Sequence, residues 1–154
     1  MRLVSRSPEE TENIGKHIGN WAKQLCRDSL GGVVLLLDGE LGMGKTVLAR
    51  GLARGLGITE RITSPTYSII QEYTGSPGLI HVDLYRIHDA DELVELGIEE
   101  LQAESGSILL VEWAKRVPAD SFGPAYQLSI EAGESAEERI LILADGIPAP
   151  GEQQ

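Results

Sequence analysis

Gly39-Glu-Leu-Gly-Met-Gly-Lys-Thr46 fits the phosphate-binding P-loop pattern G-x-x-x-x-G-K-[ST] at every specified position. Its three glycines permit backbone turns that a Cβ would forbid, so successive N–H groups can converge on phosphate oxygens. Lys45 supplies an ammonium group for the β- and γ-phosphates, and the Thr46 hydroxyl can ligate Mg²⁺. The motif predicts that the chain binds a nucleoside triphosphate.

The residues on either side of this loop predict a strand and a helix. Residues 32–37 form a continuous apolar run, which is typical of a strand buried on both faces. After the loop, Leu48, Leu52 and Leu56 recur at a spacing of four and form one face of a helix that Gly57 is placed to end. A P-loop requires this strand–loop–helix order.

Composition limits the class of protein. The 154 residues suffice for one domain, and 42% hydrophobic with 24% charged residues is ordinary for a soluble globular protein. The formal net charge of −11 argues against a broad surface for DNA or RNA, because such affinity comes from Lys and Arg neutralising phosphates. If the protein acts on RNA, we expect another subunit to hold it.

The sequence also predicts where the protein works. No apolar run approaches the roughly 20 residues of a membrane span, and the first ten residues lack the apolar core of a signal peptide. Cys26 is the only cysteine, so no internal disulfide can form, and a buried, unreactive thiol is expected. We therefore expect a cytoplasmic protein without a membrane partner.

The remaining patterns complete an α/β fold. Ser7-Pro8-Glu9-Glu10 predicts the start of a helix that runs to Arg27. Short acidic helices are predicted at 89–96 and 98–104, and further strands at 68–73, 79–83, 107–111, 126–131 and 139–144. Two of these pairs are predicted to be antiparallel, the first around 74–78 and the last around 133–137. The expected architecture is a single-domain P-loop NTPase over residues 1–145, a three-layer sandwich with a mixed, partly parallel sheet, followed by a disordered tail at 146–154.

Two carboxylates follow apolar strands. Asp83 ends the run at 79–83, and Glu112 ends the run at 108–112. In open α/β sheets the ligand crevice lies at the carboxyl ends of the strands, so both can face the phosphates. For either acid alone, the alternative interpretation is a solvated residue at a strand end. This alternative is less favoured for both acids together, because Mg²⁺ needs at least one oxygen ligand besides Thr46 and the nucleotide.

Three other residues keep two interpretations each. Thr66 lies on a loop stiffened by Pro65, which suits either a switch residue that senses the γ-phosphate or a plain turn. His81 is expected to be a packed or rim histidine, because no His/Cys cluster has metal-ligand spacing. Trp113 is explained by core packing, or as a lid over a bound base or a partner contact.

Taken together, four motifs resemble one family. The P-loop is followed in order by Ser64-Pro-Thr-Tyr67, His81-Val-Asp-Leu-Tyr-Arg86 and Val111-Glu-Trp113. This series closely resembles the TsaE (YjeE) family, bacterial P-loop ATPases of the tRNA threonylcarbamoyladenosine system, from the first helix to the final strand pair. The resemblance implies an ATPase that works with TsaD and TsaB, contacts tRNA only indirectly, and resets that complex between turnovers.

The resemblance also assigns roles to residues. Lys45 would hold the phosphates, Thr46 and Glu112 would organise Mg²⁺, Thr66 would lie near the γ-phosphate, and Asp83 would orient water or reach the metal through one. The implied nucleotide contacts are Glu40, Leu41, Gly42, Met43, Gly44, Lys45, Thr46, Val47 and Trp113.

This chain departs mildly from the family pattern. Glu40 and Met43 occupy variable positions of the loop, which leaves nucleotide binding intact. Lys115 stands where an acidic residue is frequent in the family. The resemblance therefore does not predict the rim of the nucleotide site or the contact with the partners at this position.

Three alternatives remain. A small-molecule kinase would need Arg residues converging on the transferred phosphate, whereas Arg86, Arg116 and Arg139 are far apart in sequence. A GTPase would need a guanine-reading Asn-Lys-x-Asp segment and an Asp-x-x-Gly switch after the second strand, and neither is found. An adaptor that uses nucleotide only to hold its shape is also compatible with the motifs.

Overall fold

The computed structural model describes residues 1–29, 32–65 and 68–152. Its strands are β1 (Arg2–Ser5), β2 (Val34–Asp38), β3 (Ile70–Tyr73), β4 (Leu79–Asp83), β5 (Ile108–Glu112), β6 (Tyr126–Ala132) and β7 (Arg139–Leu143). Its helices are α1 (Pro8–Asp28), α2 (Lys45–Gly55), α3 (Ala90–Glu95) and α4 (Ile98–Ser105), with a 3₁₀ turn at Ala114–Arg116. Within these ranges no helix is both long enough and apolar enough to cross a bilayer.

All seven strands form one mixed sheet in the order β1-β7-β6-β2-β5-β4-β3. Strand β2 pairs in parallel with both β5 and β6, and β4 pairs in parallel with β5. The outer pairs β3–β4, β6–β7 and β1–β7 are antiparallel. The predicted mixed, partly parallel sheet is confirmed, as are both predicted antiparallel pairs.

Helices cover both faces of the sheet. Alternate residues of the central strand β2 enter two different cores, with Leu35 in one and Leu36 in the other. The first core is completed by α1 and α2, for example by Leu52, and the second by α3 and α4, for example by Leu93 and Ile98. The predicted three-layer sandwich is therefore confirmed.

Helix α1 begins where the sequence indicates. The Ser7 side chain accepts a hydrogen bond from the backbone N–H of Glu10 at 3.1 Å, which satisfies one of the free donors of the first turn. The Glu10 carboxylate in turn accepts from the backbone N–H of Arg6 at 2.6 Å. The cap at Ser7 is a local property of the Ser-Pro-Glu-Glu segment, so sequence alone identifies it, whereas the carboxylate of Glu10 bonds one residue earlier than the N-cap N–H of a regular capping box.

Helices α1 and α2 approach until their backbones touch. Gly15 and Gly19 on α1 lie against Gly51 and Gly55 on α2. A Cβ added at any of these positions would come closer than 3.0 Å to a backbone atom of the other helix, such as the Glu12 oxygen opposite Gly51. The contact cannot relax by turning a side chain, so it fixes the position of the helix that follows the P-loop.

The structure differs from the predicted elements at its edges. Strand β1 was not predicted, because four residues carry too little periodicity; it forms by pairing with β7, Leu3 opposite Leu141. Strand β3 begins at Ile70 rather than residue 68, since Ile69 has a φ of 61° that no strand accommodates.

Residues 146–152 also differ from the disordered tail expected at 146–154, and the last two residues of that prediction lie outside the described residues. Ile147 is buried in the core shared with α1 and α2. The backbone oxygen of Pro148 lies 2.9 Å from Nε2 of His17 on α1. One apolar residue among polar ones and prolines gave no sequence signal, because its burial depends on a surface assembled from distant elements.

The helix contact leads to a stability prediction. Alanine is favoured over glycine in a helix by about 1 kcal/mol, yet Gly51→Ala should destabilise the protein by about 1–3 kcal/mol because its Cβ overlaps backbone. Denaturant unfolding measures this difference. Asn20→Ala, on the exposed side of α1, serves as the control and should change stability by less than about 0.5 kcal/mol. A Gly51→Ala protein as stable as the parent would contradict the close contact.

Candidate functional site

The P-loop turn uses backbone conformations that favour glycine. Gly42 has a φ of 78° and Gly44 a φ of 101°. A Cβ at Gly42 would meet nothing within 4 Å, so glycine is required there by conformation and not by space. These turns connect the end of β2 to the start of α2.

Gly44 is also the N-cap of α2, and no side chain caps this end of the helix. The first turn of a helix has backbone N–H groups without intrahelical partners, and the helix dipole makes this end positive. Glycine at the cap leaves these donors available to an anion, as the phosphate-binding motif requires.

Lys45 is held inside the site. Only 8% of it is exposed, and its Nζ donates a hydrogen bond to the backbone oxygen of Gly39 at 2.5 Å. The same ammonium lies 4.3 Å from the centre of the Trp113 ring, within the range of a cation–π interaction. These contacts hold the charge beside the loop where a phosphate would bind.

The register of the sheet brings the two predicted carboxylates together. Asp83 pairs with Glu112 across β4 and β5, and Glu112 pairs with Leu37 across β5 and β2, one residue before the strand ends. Both acids are buried, at 5% and 3% exposure. Oδ1 of Asp83 accepts a hydrogen bond from the backbone N–H of Tyr85 at 2.8 Å. The acids therefore face the P-loop as organised groups, and neither is a solvated strand end.

The sequence predicts that His81 is packed in the interior or lies at the rim of the site, and the structure shows that it is packed in the interior. It is fully buried, and its Nε2 lies 3.1 Å from Oε2 of Glu112. Its Nδ1 is buried, and no hydrogen-bond partner for it occurs in the part of the chain that the structure describes. Sequence reasoning missed the contact with Glu112, because it depends on β4 pairing with β5.

Trp113 lines the cavity beside the P-loop and also packs against the second core. It has a φ of 58°, a strained value for a bulky residue. Its ring packs edge-on against Tyr85, with centroids 5.0 Å apart, and the Arg116 guanidinium lies 5.2 Å from the Tyr85 ring. The half-buried ring lies between the ammonium of Lys45 and the exposed side chains of Tyr85 and Arg116, so it is compatible with both the core-packing and the lid or partner interpretations.

Most of the predicted site residues line one cavity of about 290 Å³. It is lined by Leu41, Gly42, Gly44, Lys45, Thr46, Ser64, Asp83, Glu112 and Trp113. Glu40, Met43 and Val47 instead line neighbouring hollows around the loop. Thr66 and Tyr67 of the predicted switch segment lie outside the described residues. A larger cavity, of about 460 Å³ beside α3 and α4, contains none of these groups.

Two polar contacts that the sequence did not indicate support the loop from outside. Arg139 on β7 donates from Nε to the backbone oxygen of Met43 at 3.0 Å. Lys115 forms an ion pair with Asp38, at the end of β2. The hydrogen bond and the negative charge of Asp38 raise the pKa of Lys115 above its usual value. Lys115, at the position that departs from the family pattern, therefore contacts the strand that carries the P-loop.

The donor set suits a hard cation bound together with a phosphate. Thr46 offers a hydroxyl oxygen, and Asp83 and Glu112 offer carboxylate oxygens, the ligand type that Mg²⁺ prefers. Among residues 1–29, 32–65 and 68–152 no three His, Cys, Asp or Glu side chains group as a metal cage.

Comparison with known proteins gives a consistent family. The sequence model of a family described as "Threonylcarbamoyl adenosine biosynthesis protein TsaE" matches residues 5–141. A Treponema pallidum protein named tRNA threonylcarbamoyladenosine biosynthesis protein TsaE is 35% identical over 146 residues, covering 95% of each chain. A Bacillus subtilis protein of the same name is 39% identical over 141 residues, covering 91% of this chain and 83% of the relative.

A solved structure has the same fold. The crystal structure of Bacillus subtilis YdiB superposes with a TM-score of 0.69 at 33% sequence identity. The match covers 95% of this chain and 86% of YdiB. The similarity therefore extends over nearly the whole molecule and is not limited to the P-loop.

The contact between Lys45 and Trp113 predicts a fluorescence signal. A phosphate that draws Nζ away from the ring should change Trp113 emission, so MgADP titration should give a saturable change in intrinsic fluorescence. Trp113→Phe should abolish the change. Trp21→Phe is the control, because Trp21 is packed against Tyr126 in the core, and it should retain the full change. A signal that survives in Trp113→Phe would contradict the assignment.

Proposed function

Because the chain belongs to the TsaE family, we propose that it is an ATP-binding and ATP-hydrolysing accessory subunit of the complex that forms threonylcarbamoyladenosine in tRNA. The observation that carries the proposal is the meeting of Lys45 and Thr46 with two buried carboxylates in one cavity. Phosphate binding alone would need only the loop and the lysine. Acids on the phosphate side suit hydrolysis, which requires a bound metal and an oriented water.

We assign a role to each of these residues from its place in the cavity and from the family resemblance. Lys45 and the N-terminus of α2 bind the phosphates, and Thr46 with Glu112 holds Mg²⁺, directly or through water. When bound, Mg²⁺ neutralises charge on the phosphate oxygens. Asp83 accepts a hydrogen bond from the Tyr85 backbone, which fixes its carboxylate, and we assign it to orienting the attacking water.

The partners in this proposal are TsaB and TsaD. We infer that ATP turnover cycles their assembly between rounds of modification, in the cytoplasm, and that tRNA is contacted only through the complex. The net charge of −11 supports this arrangement, because a strongly acidic protein repels the tRNA backbone.

The first test measures ATP turnover with and without purified TsaB–TsaD. We expect slow turnover alone and faster turnover with the partners. Lys45→Ala should lower it by about 100-fold or more, because a preorganised positive charge on the phosphates is lost. Lys16→Ala, at an exposed position of α1, should behave as the parent. Full turnover by Lys45→Ala would rule out this cavity as the source of activity.

The second test separates hydrolysis from nucleotide binding. Asp83→Asn and Glu112→Gln keep the shape of each side chain, so calorimetry should still detect ATP binding. Turnover should fall by about 10²–10⁴-fold in Asp83→Asn if its carboxylate acts on the water. Glu104→Gln, an exposed acid of α4, is the control. If both site variants support multiple rounds of tRNA modification at the parental rate, hydrolysis is dispensable and the adaptor interpretation is correct.

A further inference from the structure

We propose that His81 is a positioning residue for Glu112. Its Nε2–H holds Oε2 of the carboxylate and leaves Oε1 in a fixed place for Mg²⁺ or for a water bound to it. The inference rests on the proposed function, in which Glu112 serves the metal. It adds a residue that contacts neither nucleotide nor metal, since His81 is fully buried and does not line the cavity.

The strand register places the two side chains side by side. His81 pairs with Leu110 across the parallel strands β4 and β5, and Glu112 follows two residues later on the same face. Glu112 lines the cavity, whereas the imidazole that contacts it is fully buried and does not. A carboxylate can only accept, so the hydrogen of this bond belongs to Nε2 of His81.

Packing alone does not account for a histidine here. The residue shares a sheet face with Leu79 and Leu110, both fully enclosed in the first core. Its Nδ1 is buried and has no hydrogen-bond partner within residues 1–29, 32–65 and 68–152, which costs free energy that an apolar side chain of similar size would avoid. The hydrogen bond of Nε2 therefore has to offset the free energy lost at Nδ1. Among the described residues, the sole partner of Nε2 is Glu112.

The two acids of the site are held by different donors. Asp83 accepts from the backbone of Tyr85, which a substitution at His81 leaves in place. Glutamate has one more rotatable bond than aspartate, so without a fixed donor its carboxylate samples more positions. Partners that hold metal-ligating carboxylates typically change metal affinity or activity by about 10–100-fold when removed.

The test compares His81→Gln with His81→Met. The glutamine Nε2 lies as many bonds from Cβ as the histidine Nε2, so it can donate to Glu112, whereas methionine fills the space without a donor. In His81→Met we expect the Mg²⁺ concentration for half-maximal ATP turnover to rise about tenfold and kcat to fall about tenfold, with the KM for ATP at saturating Mg²⁺ nearly unchanged. His81→Gln should stay within about threefold of the parent in both.

A purely structural role predicts a different pattern. Thermal unfolding would shift in both variants, and the Mg²⁺ midpoint would not separate glutamine from methionine. A folded His81→Met protein with the parental Mg²⁺ midpoint and kcat would overturn the proposal.

Two measurements, Mn²⁺ binding and NMR of the His81 ring, do not depend on turnover. Binding of Mn²⁺ in the presence of ADP, followed by electron paramagnetic resonance, should weaken about tenfold in His81→Met and little in His81→Gln. If the parent binds Mn²⁺–ADP but hydrolyses no ATP with or without TsaB–TsaD, the proposed function fails while this comparison still decides the role of His81.

The hydrogen bond itself is visible by NMR. The chain has three histidines, so the ring nitrogens of His81 can be assigned by their loss in His81→Gln. Long-range ¹H–¹⁵N spectra should show the hydrogen on Nε2 and a shift of that nitrogen in Glu112→Gln. A hydrogen on Nδ1 alone would overturn the proposal, even if His81→Met failed to fold.

Discussion

The parallel pairing of β4, β5 and β2 is the constraint on which the site depends. Because Asp83 and Glu112 stand opposite each other at the ends of their strands, and Glu112 stands beside the end of β2, both acids reach the loop that begins at Gly39. A slip of one residue in either pairing would turn an acid to the opposite face of the sheet. Such a slip would bury a carboxylate against the second hydrophobic core, which is costly for an unpaired charge, so the hydrophobic core determines the geometry of the polar site.

A second constraint sets the position of α2 relative to that edge. The P-loop itself is a short turn, and its amides point correctly only if the helix after it is fixed. The backbone contact through Gly15, Gly19, Gly51 and Gly55 supplies this rigidity, and the buried α1 carries it to the core. Glycine in a helix costs about 1 kcal/mol of stability relative to alanine. The glycines at this contact therefore indicate that close packing of the two helices stabilises the protein by more than the lost helix propensity.

The site concentrates buried polar groups that packing alone would exclude. Lys45, Asp83, Glu112 and His81 are each at most 8% exposed, and their partners include a carbonyl, a backbone N–H, an aromatic ring and one another. In such an environment each interaction is stronger than in water, and each unpaired atom is costlier. Family membership identifies the process in which the chain takes part, and this arrangement of charges indicates the chemistry it contributes.

The sequence by itself determined what depends on neighbours along the chain. The P-loop, the cap at Ser7, the buried strands and the acids at their ends all follow from local spacing, and all were predictable. Contacts between distant residues were not: Arg139 supports Met43, which is 96 residues away, Ile147 completes the core, and His81 holds Glu112. These depend on strand order and on the space between packed elements, and neither leaves a periodic signal in one sequence. Only the tertiary structure decided them, because hydrophobic burial specifies which residues are inside but not which of them meet.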